Sequence, residues 1–136
     1  MQKNVKLSIL TPEKVFFDGE VSQIIAETPE GAMGIMTGHM PSVAVVSDSL
    51  LNVEENGVWR SAAIGQGIMD VSPAGIEFFV DTAEWAEDID VLRSQKALQR
   101  AEERLHGSLS HNDYLRTRTA IARATARLKT AQNRKH

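Results

Sequence analysis

The chain has 136 residues, 42% of them hydrophobic, and no cysteine. Such a length holds one domain, or a small domain with an appendage, and the apolar content is enough for a packed core. The composition excludes a disulfide framework and a cysteine-based metal site, and no apolar run approaches the ~18 residues that cross a bilayer.

The formal net charge of −3 conceals two unlike halves. Residues 1–84 carry 4 Lys+Arg against 12 Asp+Glu, a net of −8; residues 85–136 carry 11 against 6, a net of +5. Halves so opposed in charge are expected to bind different things. The N-terminus has no basic n-region and no apolar h-region, so no export signal is expected. The expected setting is the cytoplasm, with any membrane attachment made through a partner.

Val5, Leu7 and Ile9 alternate with polar residues, the period of a half-buried strand. Thr11-Pro12-Glu13-Lys14 reads as a turn. Val15-Phe16-Phe17 follows, and Asp18-Gly19 reads as a hairpin turn. Residues 21–28 read as one longer strand, broken by Pro29-Glu30-Gly31. A glycine-rich segment, 31–41, leads to an apolar run over 42–46 and a stop at Ser47-Asp48-Ser49. Strands over 50–53 and 59–64 flank Asn56-Gly57, a second hairpin signal. Two more, around 68–71 and 76–81, flank Ser72-Pro73-Ala74-Gly75. Eight to ten short strands with a turn signal every ~8–12 residues argue for an antiparallel β-sandwich or flattened barrel over 1–84.

The period changes after Glu84. Val91, Ser94, Leu98, Ala101 and Leu105 share one helical face. Asp88 is expected to cap this helix, and Gly107 to stop it. Ser110 with Asp113 has capping-box spacing for a second helix, with Thr117, Ile121, Ala124, Leu128 and Ala131 on one stripe. The short link makes 85–136 an antiparallel αα-hairpin. Its stripes are rich in alanine, and an alanine methyl contributes well under ~1 kcal/mol on burial. Alone, such a hairpin is marginal. Its stability must come from docking on the sandwich, from a ligand or from another protein, which makes it a candidate switch.

The four histidines form no cluster with metal-ligand spacing, so no metal is expected. No serine sits in a nucleophile-elbow context. Gly31, Gly34 and Gly38 do not form a phosphate loop, since no Lys-Ser/Thr follows. Catalysis by the isolated chain is not expected. The second helix is more informative: from Tyr114 onward there are seven basic residues and no acidic one. Arg123 and Arg127 project from one face at i, i+4. In an antiparallel hairpin, Arg93 near the start of the first helix comes near them. Converging guanidiniums call for an anion between them, and a triphosphate suits their paired donors. The alternative is a solvated face paired with Glu84, Asp88 and Asp90.

The chain also resembles a known family, the epsilon subunit of bacterial F-type ATP synthases. The loop Gly31-Ala32-Met33-Gly34-Ile35-Met36-Thr37-Gly38-His39-Met40-Pro41 is similar to that family's G-E-L-G-I-x-P-G-H-x-P stretch, and 65–71, Gly-Gln-Gly-Ile-Met-Asp-Val, to its S-G-G-x-x-E-V. Ala32 and Thr37 depart from the family's usual Glu and Pro. The resemblance implies a non-catalytic central-stalk subunit, peripheral on the cytoplasmic face of the membrane. Its partners would be the gamma subunit, the c-ring and the alpha/beta catalytic head. Gly31, Met33, Gly38 and His39 would lie toward the ring, where Ala32 removes the carboxylate for a polar contact. Arg116, Arg118 and Lys129 would meet an acidic segment of a beta subunit when the hairpin extends, and extension would inhibit ATP hydrolysis. Some family members bind ATP as a regulatory ligand through I/L-D-x-x-R-A. Ile89-Asp90-Val91-Leu92-Arg93-Ser94 matches except at Ser94. The implied ATP site is therefore Glu84, Ile89, Asp90, Arg93, Ser94, Arg123 and Arg127, with the added hydroxyl worth up to about 1 kcal/mol.

Two other readings compete. One is a stand-alone ATP-sensing module outside any rotary complex. The other is a nucleic-acid binder using the Arg-rich helix, which the acidic sandwich opposes by repelling phosphate.

Overall fold

The computed structural model of the chain describes residues 4–28, 31–35 and 41–133. Ten strands precede two helices: β1 (Val5–Leu10), β2 (Val15–Val21), β3 (Gln23–Thr28), β4 (Gly31–Gly34), β5 (Ser42–Val46), β6 (Ser49–Glu55), β7 (Val58–Ile64), β8 (Gly67–Ser72), β9 (Gly75–Val80), β10 (Ala83–Trp85), α1 (Val91–Leu105) and α2 (His111–Ala131). They form two five-stranded sheets, ordered β2-β1-β9-β8-β5 and β10-β7-β6-β3-β4. Every pairing is antiparallel except β1 with β9. The expected β-sandwich followed by a helical hairpin is the observed fold.

Period-2 alternation builds the core. Leu7 and Ile9, Leu51 and Val53, and Ile76, Phe78 and Val80 point inward and are buried. Each such side chain contributes about 1.5–3 kcal/mol by leaving water. Asn56-Gly57 forms the expected tight hairpin, with φ of 53° and 80° at its two residues.

Asp18-Gly19 is not a turn. Both residues lie inside β2, paired with Ser8 and Leu7 of β1, and the reversal occurs at residues 11–14 instead. The glycine has a packing reason: a Cβ there would stand 3.3 Å from the Phe17 ring. The strand expected over 21–28 is likewise two, divided at Ser22. That residue leaves the ladder and bonds Glu54 through both its backbone N–H and its hydroxyl. The glycine-rich segment begins as β4 against β3. Gly31 and Met33 lie on this exposed edge strand, while the positions expected at Gly38 and His39 fall outside the described residues.

A further strand, β10, follows the one expected to be last. It pairs with β7 and carries the sheet to Trp85. A 3-10 turn over Ala86–Asp88 then leads to α1. Asp88 belongs to that turn and is not the helix cap. Asp90 fills the role, accepting from the Arg93 backbone N–H at 3.0 Å, because Ile89 is buried and turns the chain before the helix begins. Ser110 caps α2 as expected, through the Asp113 N–H at 3.2 Å. Leu105, expected on the packed stripe of α1, is 41% exposed. Buried Ser94 and Ala101 of α1, with Thr117, Ala124, Thr130 and Ala131 of α2, form a small-residue seam. Thr117 and Thr130 donate their hydroxyls to backbone carbonyls one turn back, so neither brings an unpaired polar group inside.

Trp85 ties this junction to the sandwich. It stacks on Phe16 at 4.6 Å and meets Phe17 edge-on. The Arg60 guanidinium lies 3.6 Å above its ring and pairs with Glu87 at 3.1 Å. A chain ending after residue 88 is therefore expected to keep one cooperative thermal transition. Trp85→Ala in the full chain should lower the unfolding free energy in urea by about 2–3 kcal/mol, less than a fully buried tryptophan would; an unchanged midpoint would contradict the anchoring role.

Candidate functional site

Strand ends gather at one end of the sandwich beneath α2. The β9–β10 link is pinned to the β7–β8 link by two backbone hydrogen bonds, Gly65 N–H to Thr82 and Asp81 N–H to Gln66, at 2.8 and 2.9 Å. The β5–β6 link adds Asp48. A cleft of about 220 Å³ opens here, between these loops, Lys14 and Glu13 on one side and Arg123, Ala126 and Arg127 of α2 on the other. Helical spacing places the two arginines on successive turns facing the sandwich.

Each guanidinium meets carboxylates of the sandwich. Arg123 donates from Nε to Asp48 Oδ1 at 3.1 Å and from Nη2 to Asp81 Oδ2 at 2.6 Å. Arg127 reaches Glu84 of β10 at 3.3 Å. Farther along, Lys129 comes within 3.9 Å of Glu27. The Asp48 side chain is 3% exposed and also accepts from Gln66, whereas that of Asp81 is 45% exposed. Burial works against the charge on Arg123, and the hydrogen bonds and charges of Asp48 and then Asp81 more than offset it, holding the guanidinium above its ordinary range. A cation so raised contributes its stability at every pH below its ordinary value and loses it only on passing through the raised one. The pairing therefore persists across the whole neutral range.

The structure brings together Glu84, Arg123 and Arg127 among the residues expected to hold ATP. Arg93 sits exposed on the first turn of α1 and is not among the described residues lining the cleft. Asp90 is engaged as the helix cap. Ser94 is buried, and Ile89 packs with Ala63, Ala131 and Val91, where the base of the hairpin meets the sandwich. Arg116 and Arg118 are exposed on the outer part of α2, Arg118 with its guanidinium 5.9 Å from the Tyr114 ring. The expectation of a paired face holds at Glu84, but the partners of Arg123 are Asp48 and Asp81. Sequence reasoning missed both. Asp48 stands in what reads as a mere strand stop, and only the opposed charges of the two halves point to such contacts.

A sandwich that clamps a two-helix hairpin against one end defines a recognisable class of two-part chain. The chain belongs to the delta/epsilon chain family of ATP synthases. The family's beta-sandwich domain matches residues 4–86 and its long alpha-helix domain residues 87–132. Among similar curated proteins, the ATP synthase epsilon chain of Ruminiclostridium cellulolyticum is 40% identical over 129 residues, covering 95% of this chain and 96% of that one. The epsilon chain of Caldanaerobacter subterraneus is 37% identical, with 96% of each chain covered. Among solved structures, a chain of the Euglena gracilis mitochondrial ATP synthase, described as OSCP/F1/c-ring, shares the fold with a TM-score of 0.78 at 24% identity, over 96% of this chain and 82% of that one. A chain of the Tetrahymena thermophila mitochondrial ATP synthase, from its central stalk and c-ring, gives 0.66 at 17%, covering 96% and 98%.

The two arginines should differ in weight. Both partners of the Arg127–Glu84 pair are over a third exposed, so Arg127→Ala should weaken α2 docking by under about 1 kcal/mol. Arg123→Ala leaves Asp48 buried without its cation and should weaken docking by about 2–3 kcal/mol. Hydrogen exchange of α2 amides measures both; equal losses would contradict the assignment.

Proposed function

We propose that this chain is an epsilon-type central-stalk subunit of an F-type ATP synthase, without catalytic activity of its own. It would sit between the gamma subunit and the c-ring, peripheral on the cytoplasmic side of the membrane. Family membership over both domains supports the placement, as does the central-stalk source of a structural relative. Among the described residues no helix is long and apolar enough to cross a membrane. Regulation of ATP hydrolysis falls to the hairpin. The observation that carries this is the nature of its docking, a small apolar contact around Ala63, Ile89 and Ala131 with a few ion pairs. Contacts of that kind hold a helix pair weakly enough for a partner to compete for it. Leaving the sandwich frees Arg123, Arg127 and Lys129, which join Arg116 and Arg118 as a basic surface for an acidic segment of the catalytic head.

ATP is the proposed regulatory ligand of the docked state. The cleft places Arg123 and Arg127 side by side, and residues 89–93 carry the I-D-x-x-R pattern at the foot of α1. Phosphate oxygens are at least as good acceptors for these guanidiniums as the half-exposed carboxylates they meet now. A ligand that binds only the docked form stabilises it by about 2.7 kcal/mol at a hundredfold excess over Kd.

Removal of residues 89–136 is expected to leave assembly of the complex intact and to raise its ATP hydrolysis. Unchanged hydrolysis in the assembled complex would contradict the regulatory part, and failure to co-purify with a rotor subunit would favour a stand-alone module. In a calorimetric titration of the isolated full chain, ATP should bind, and Arg127→Ala should weaken it about tenfold or more, the worth of one charge-assisted contact. Equal affinity of the two proteins would remove the arginine pair from nucleotide binding.

A further inference from the structure

The docked hairpin meets a ready-made pair of anions. Arg123 is gripped on two edges of its fork by aspartates from different loops, Asp48 before β6 and Asp81 after β9. The two are unlike. Asp48 is buried, accepts from Gln66 on its second oxygen, and sits in a loop closed by the Ser49 hydroxyl donating to the Ser47 carbonyl at 2.7 Å. Asp81 is half exposed, and its second oxygen accepts from the neighbouring Thr82 hydroxyl at 3.4 Å, the same length as the Gln66 bond to Asp48, so burial is what separates the two.

We propose that Asp48, Arg123 and Asp81 form an internal latch that docks the hairpin without any nucleotide, with Asp48 as the fixed jaw and Asp81 as the releasable one. The asymmetry follows from solvation. Water replaces Arg123 readily at a half-exposed carboxylate, whose pairing is worth little. At Asp48 the alternative to Arg123 is a buried carboxylate with only an amide donor, which is strongly disfavoured. Docking is therefore governed by a residue on the sandwich, far from the helical motif in sequence. A hairpin partner has to open the Asp48 contact before α2 can leave. The latch is defined and tested without nucleotide, so its test is separate from that of ATP binding in the cleft.

The chain has no cysteine, which permits a direct test in the full protein. Nitroxides placed at Val58→Cys on β7 and Ala120→Cys on α2, both exposed positions, report the docked and undocked distances by pulsed electron resonance in nucleotide-free solution. The unmodified latch should give a predominantly docked distance. Asp48→Asn should raise the undocked-to-docked ratio about tenfold or more, the worth of a hydrogen bond to a charged group. Asp81→Asn should raise it by no more than about fivefold, as for an exposed pair. Asp48→Asn combined with Arg123→Gln should be no worse than the more severe of the two alone, because both remove one contact. Should Asp48→Asn fail to fold, Arg123→Lys serves in its place, since it keeps the charge but loses the forked donor. It should undock the hairpin several-fold more than Arg127→Lys does. An undocked hairpin in the unmodified chain, equal effects at Asp48 and Asp81, additive losses in the double variant, or equal effects of the two lysine variants would each overturn the proposal.

Discussion

One arginine carries the contact between the two halves of this molecule. Arg123 brings the charge of a basic hairpin to the acidic end of a sandwich and is met there by Asp48 and Asp81. The pairs at Glu84 and Glu27 follow the same line along α2 but stand more exposed than the contact with Asp48. Without this opposition the two domains would share only a modest apolar contact, centred on Ala63, Ile89 and Ala131. The sandwich core, by contrast, draws on both sheets and does not include the hairpin.

This imbalance is the physical basis of the proposed function. A core of Leu, Ile, Val and Phe resists opening because each side chain returns apolar area to water. The small contact of Ala63 with Ile89 and Ala131 returns little, and the threonine hydroxyls of α2 are already satisfied within their own helix. The hairpin can therefore leave as a unit while the sandwich stays intact. The junction is built for the same division: Trp85, stacked on Phe16 and covered by Arg60, belongs to the sandwich, and helical structure resumes only after the cap at Asp90.

Much of this architecture is legible in the amino-acid sequence alone. Alternation of apolar residues locates the strands, and capping chemistry at Ser110 locates α2, because both are local. The misreadings share a cause. Asp18-Gly19 has turn chemistry, yet β2 runs straight through it, because both residues pair with β1, at Ser8 and Leu7, and Gly19 leaves room for the Phe17 ring beside it. Asp88 has capping chemistry, but burial of Ile89 defers the helix to Asp90. In the candidate site, Glu84, Arg123 and Arg127 are legible from helical spacing and family likeness. Asp48 is not, because its partner lies 75 residues away and strand-end loops carry no period that would relate them.

The central claim is that the hairpin is an independently opening unit on a more stable sandwich. Native-state hydrogen exchange across the full chain tests it most directly, by comparing the opening free energies of amides in α2 with those in β6 and β9. The account predicts that α2 amides open together, at a free energy well below that of the core strands, and that the strand amides stay protected while they do. Exchange of α2 at the same free energy as β6 and β9 would show one cooperative unit and contradict it.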